Sequence, residues 1–341
     1  MLWRMHSRYP PPAISLPTAL VAMIAFASCG APVSSTAEAS FAPEHAIVQG
    51  WWPKEEAAVI SGDPRTLTEL YAGSALDVAS GEMAMTTLRG ARPKYPRPFR
   101  GSTIFALSPR ATAAWFLAII QYAPIDQDGR AQAITRSVPG VIFVNIGGTW
   151  KASVADVQAP IPHNALGNGD STLSMPLSED HYLMSASAIA TSYASYLNEL
   201  SAGQQPDVPF ATGLNSVAWQ LTRIAWPPGS IATARFRFAV DTPEVARYSI
   251  TSGIIKVPEV VLFVLRRSVV IKPRQGCLVR RQNDLQWSDI VPARTYSAVT
   301  LSSVSVLAAT VPLNNGDTSQ GRQLIDVSAG IDDVSATFAK C

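Results

Sequence analysis

Two hydrophobic periodicities alternate along this chain, in the same order twice, and that order limits the folds open to it. Helical spacing comes first and a run of short strands follows, once before residue 165 and once after it. In the first pass Asp63 is placed to cap free amides and Pro64 suits a first helical position. Leu67, Leu70 and Tyr71 then recur at helical spacing up to Gly73, and a second helix is expected over 74–88. After Arg100 the chain turns to runs rich in branched and aromatic residues, at 103–107, 114–122, 141–146 and 150–157, with Gly147-Gly148 marking a hairpin between the last two.

The second pass repeats the plan. Residues 185–200 form a long amphipathic pattern with Ile189, Tyr193, Tyr196, Leu197 and Leu200 on one side. A second helix is expected over 214–226, ahead of Pro227-Pro228-Gly229. Strands are expected at 232–240, 246–251, 257–272, 277–282, 296–312 and 324–328. Helices followed by antiparallel strands predict an α+β fold in which one sheet face packs on the helices. The Pro-, Gly- and Asn-rich stretch 159–171 separates a unit over 47–165 from one over 172–341.

Ahead of both units stands a different kind of segment. Arg4, His6 and Arg8 precede an apolar run, Ala13 to Ala27, that ends at Cys29 between small residues. About fifteen apolar residues broken by Pro17 are too few to span a membrane, which takes roughly twenty. They match a secretory signal over 1–29 with the cysteine where a lipoprotein is cut and acylated. Phe26 departs from the branched aliphatic usual at that position, and ordinary cleavage near Ala37-Glu38-Ala39 is the other reading. Residues 30–46, small and polar, read as a flexible tether. The expected location is the extracellular face of the cell membrane, lipid-anchored, with plain secretion as the alternative.

Three cysteines are present. Acylating Cys29 leaves an even pair, Cys277 and Cys341. An oxidising compartment permits a disulfide between them; a buried Cys277 with a free terminal thiol is equally compatible with the sequence. Without a CxxC, and with few histidines, no metal site is expected. Removing residues 1–29 takes away Arg4 and Arg8 and no acid, leaving 25 bases against 25 acids. A neutral mature chain argues against a nucleic-acid partner.

The stretch Leu70-Tyr-Ala-Gly-Ser-Ala-Leu-Asp77, Ala114-Trp-Phe-Leu117, Tyr193-Ala-Ser-Tyr-Leu197 and Val311-Pro312 together resemble the NTF2-like (cystatin-like cone) superfamily. More narrowly, the chain is similar to uncharacterised secreted proteins and lipoproteins of actinobacteria with two such units. The resemblance implies tandem units, each with N-terminal helices packed on a curved antiparallel sheet, and an envelope location. It implies no activity.

No catalytic set stands out. Gly-x-Ser-x-Gly, Ser-x-x-Lys and phosphate-cradling glycine motifs are absent. The acid pairs Asp126/Asp128, Glu179/Asp180 and Asp332/Asp333 read mainly as solvated turn or helix-start acids. Asp156 and Asp241 are the candidates for an isolated acid inside an apolar cone, the device some NTF2-like enzymes use. Trp115, Phe116, Trp150, Trp219 and Trp226 read as core. Most unusual is a basic run: Arg266, Arg267, Lys272, Arg274, Arg280 and Arg281 lie within sixteen residues that contain no acid. Placed near a hairpin tip, they would meet anionic lipid or wall polymer; the plainer reading is a solvated strand protected from edge pairing. The expectation is a non-enzymatic binding module with no cofactor, whose partner is an envelope protein, a lipid or a wall component. A single-acid enzyme of isomerase or hydrolase type is the alternative.

Overall fold

Helix α1 (Ala42–Ser61) begins inside the segment assigned to the tether, so the boundary at 46 is corrected: residues 42–46 are helical. Its start signal is a proline in the first turn with Glu44 beside it, which a reading for small polar residues passes over. Gly62 ends the helix in the left-handed conformation, its N–H returning to the Ala58 carbonyl at 2.8 Å. The computed structural model describes residues 41–88, 90, 93–108, 114–157, 170–207, 209–210, 216–222, 232–249, 258–279, 295–314 and 324–341. The expected signal segment, with Cys29, lies outside the described residues.

Asp63 caps α2 (Pro64–Leu70), accepting from the Arg65 N–H at 3.0 Å and the Thr66 hydroxyl at 2.7 Å. Helix α3 (Gly73–Leu88) follows, then the meander β1 (Phe99–Ser108), β2 (Trp115–Tyr122), β3 (Arg136–Ile146) and β4 (Thr149–Val157). A short strand, β5 (Ser171–Ser174), precedes α4 (Ala186–Ser201) and α5 (Val217–Leu221). The second meander is β6 (Ala232–Ser249), β7 (Glu259–Pro273), β9 (Thr295–Val311) and β10 (Asp326–Lys340), with β8 (Leu278–Val279) paired to β9.

Several strands are longer than their sequence patterns suggest, β6 and β10 most clearly. β6 runs through the expected gap at 241–245 by shifting register between Val240 and Ala246. β10 continues past Asp332-Asp333 because β9 offers a partner along its whole length, from Thr310 opposite Asp326 to Tyr296 opposite Lys340. Edge position tolerates charges that a central strand would not.

Among the described residues the strands form one ten-stranded sheet in the order β10-β9-β7-β6-β5-β1-β2-β3-β4. β5 joins the meanders, lying parallel to β1 from Phe105 opposite Ser171, and touching β6 antiparallel at Ser174 and Ser249. The class is α+β.

Burial follows the strand alternation. Ile104, Ala106, Phe116, Ala118 and Phe143 face α1–α3 in one core, while Phe238, Val261, Phe263, Leu265 and Leu307 face α4 and α5 in another. The residues between them, Phe105, Leu117 and Ile142 from one meander and Tyr248, Leu262, Val264 and Val306 from the other, share a third core. The sheet therefore folds back on itself, with its two halves face to face and helices outside each. This explains why the first half of β7, Val260 to Leu265, is apolar without alternation: it is covered on both faces. The arrangement also brings α3 against β10, where a Cβ on Gly81 would lie 2.6 Å from the Val334 carbonyl oxygen.

Candidate functional site

The two leading arginines of the basic run do not lie at a hairpin tip, which corrects the expectation for them. Arg266 and Arg267 stand mid-strand in β7, where successive side chains leave on opposite faces. Arg267 is buried and donates to the Leu221 carbonyl and the Ser303 hydroxyl, both at 3.4 Å. Arg266 clamps the two halves together. Its Nε donates to Asp241 at 2.7 Å and its Nη2 pairs with Asp77 of α3. These two carboxylates raise the Arg266 pKa, the Asp77 hydrogen bond most of all. Asp241, a candidate cone acid, is thus a structural partner within β6. Lys272 and Arg274 are exposed; Arg280 and Arg281 lie outside the described residues.

The other candidate acids are similarly placed. Asp126 organises its own turn, accepting the Asp128 and Arg130 N–H groups at 2.9 and 2.8 Å. Asp180 is exposed beside His181. Asp156 lies in β4, and Asp332 and Asp333 in β10, but their side chains are outside the described residues. Trp115 packs against Tyr248 across the third core, and Trp150 packs on Phe116, which stacks on Phe143 at 5.0 Å. The Trp219 side chain and Trp226 lie outside the described residues.

Sequence reasoning missed three polar constellations. In the first, Arg97 sits over the rings of Trp52 and Tyr122, 4.9 and 4.7 Å from their centroids. Its Nε donates to the buried Glu56 at 2.8 Å. This neutralises a buried acid and leaves the aromatic pair occupied by the protein's own cation.

The second centres on Glu259, at the start of β7 and fully buried. Neither of its carboxyl oxygens has a hydrogen-bond partner among the described residues, and Arg247 is 3.8 Å away. That arginine is shared, with Glu179 at 3.0 Å and Glu244 at 3.7 Å. Burial pushes the Glu259 carboxyl up to about 7; Arg247 opposes the shift, and the two neighbouring acids add to it. Glu179, read as a solvated helix-start acid, is therefore part of this network.

The third joins α1, β1 and the residue before β5. His45 Nε2 lies 2.7 Å from Asp170 Oδ2, and His45 Nδ1 lies 2.8 Å from Ser102 Oγ. Asp170 Oδ1 accepts the Ile104 N–H at 2.8 Å, which fixes the carboxylate. The partners of His45 are 57 and 125 residues away, so no local motif announces them.

Cys277, just before β8, and Cys341, just after β10, are joined by a disulfide with a Cα–Cα distance of 6.2 Å. Both neighbouring strands pair with β9, so the bond staples the chain end to that strand. Among the described residues, no group of three or more His, Cys, Asp or Glu is arranged to hold a metal ion, and no helix is long and apolar enough to cross a membrane. No protein-family model, curated protein or solved structure matches the chain.

Proposed function

We propose that this chain is an exported, lipid-anchored protein of the cell envelope, held at the outer face of the membrane through Cys29, and that it works as an interaction module. The cysteine pairing carries this reading. The bond between Cys277 and Cys341 uses two of the three cysteines, as an oxidising compartment allows, and leaves Cys29 for acylation. The two units are NTF2-like in this reading, which is supported by the helices preceding each meander and covering one face of it. Lys272 and Arg274, exposed near the end of β7, are the described cations of the basic run placed to approach an anionic lipid or wall polymer.

Fractionation of cells expressing the full chain tests the anchor. The Cys29→Ser variant is expected in the soluble fraction and the wild type in the membrane fraction; continued membrane association of the variant refutes the proposal. One observation favours the enzymatic alternative with a single acid or base: Glu259 is buried and holds its proton to about pH 7.

A further inference from the structure

A hydrogen-bonded chain of serine, histidine and aspartate is a chemical arrangement as well as a structural one. We propose that Ser102, His45 and Asp170 are the nucleophile, base and orienting acid of an acyl-transfer site that hydrolyses carboxylic esters. This activity goes beyond the anchored module and makes no use of Glu259.

The proton positions follow from what each group can do. An ionised carboxylate only accepts, so the Asp170 contact at 2.7 Å places the ring proton on His45 Nε2. His45 Nδ1 is then the basic nitrogen, and the Ser102 hydroxyl donates to it at 2.8 Å. Asp170 cannot swing away, because its second oxygen is held by the Ile104 N–H. Nucleophile, base and orienter therefore meet the geometric requirement for an activated serine, with the two ring nitrogens exchanged relative to the usual triad. Recognition of such a set rests on geometry and roles, not on sequence order.

The site is also open. The His45 and Asp170 side chains are 36% and 25% exposed, enough for a reagent to reach the base. β1 supplies a donor for the developing oxyanion. In an antiparallel ladder, alternate residues turn both backbone groups to the same side. The Ile104 N–H points away from β2 to Asp170, so the Ser102 N–H, two residues earlier, points to that same side. There β5 begins only opposite Phe105, so among the described residues no strand lies beside Ser102 on that edge.

The chemistry balances with water as co-substrate. Ser102 Oγ bonds to the ester carbonyl carbon as its proton passes to His45 Nδ1. The bond from that carbon to the alcohol oxygen breaks, and the proton moves from His45 to the departing alcohol. Water then attacks the acyl-serine ester by the same route, releasing the acid and restoring Ser102.

The test uses the full purified chain, a fluorophosphonate probe and p-nitrophenyl acetate. The expected results are a covalent adduct on Ser102, located by peptide mass spectrometry, and ester turnover reduced about 100-fold in Ser102→Ala, which leaves the His45–Asp170 pair intact. Asp170→Asn, whose side-chain oxygen can still take the Ile104 N–H, is expected to lose labelling by a similar factor, because the amide no longer holds the required tautomer. Thermal melts of each variant separate lost chemistry from lost folding. No adduct on Ser102 in the folded wild type, or wild-type turnover by folded Ser102→Ala, overturns the proposal. Membrane fractionation is independent of both readouts, so failure here and failure of the anchor are told apart.

Discussion

Replacing Glu259 with glutamine should stabilise this protein, and by an amount that depends on pH. The carboxyl has an ordinary pKa of 4.5 and is raised to about 7 in the fold. At about 1.4 kcal/mol per unit, keeping it ionised in its buried position costs about 3 kcal/mol. The sign follows from proton counts. Between pH 4.5 and 7 the folded state binds more protons than the unfolded chain, so stability falls as pH rises through that window. Below it the cost is absent, and above it the cost is complete. In Glu259→Gln the side chain carries no charge at any pH, while Arg247 keeps Glu179 and Glu244 as partners. Urea unfolding of the two proteins should therefore coincide near pH 4. The variant should be the more stable by up to about 3 kcal/mol near pH 8. A difference that does not change with pH, or a variant less stable than wild type at the higher pH, refutes the reasoning.

Two further tests address the join between the halves. Gly81→Ala adds a methyl 2.6 Å from the Val334 carbonyl oxygen, a backbone atom that cannot swing aside, and should cost about 1–3 kcal/mol. Gly50→Ala, on the exposed side of α1 with nothing within 4 Å, should as a control gain up to about 1 kcal/mol; a thermal melt in which Gly81→Ala is no less stable than wild type would disprove the packing of α3 on β10. Arg266→Met breaks the clamp to Asp77 and Asp241. Because that arginine is 42% exposed, a double-mutant cycle with Asp77→Asn should return a coupling of only about 1 kcal/mol, and a coupling of zero would remove the clamp from the account.

Local chemistry was legible where a few neighbouring residues decide it. Asp63-Pro64 starts a helix because a cap and a fixed φ act within one turn, and Gly147-Gly148 turns a hairpin for an equally local reason. The order of periodicities was enough for the α+β class. Strand length was less legible: the last strand pattern stops at 328, yet β10 runs on through Asp332-Asp333 because β9 is there to pair with it. Among the site residues, the six-cation run illustrates the limit. Adjacent in sequence, Arg266 and Arg267 leave β7 in opposite directions and find partners on different elements.

The sequence alone thus determined element types and the doubled order of helices and strands. Only the tertiary structure decided that the two meanders lie face to face, that Glu259 is sealed from water beside a shared arginine, and that His45, Ser102 and Asp170 meet. The reason is range. Caps, turns and periodicity act within a few residues, whereas burial and hydrogen bonding between side chains 57 to 189 residues apart exist only once helices and strands have packed together.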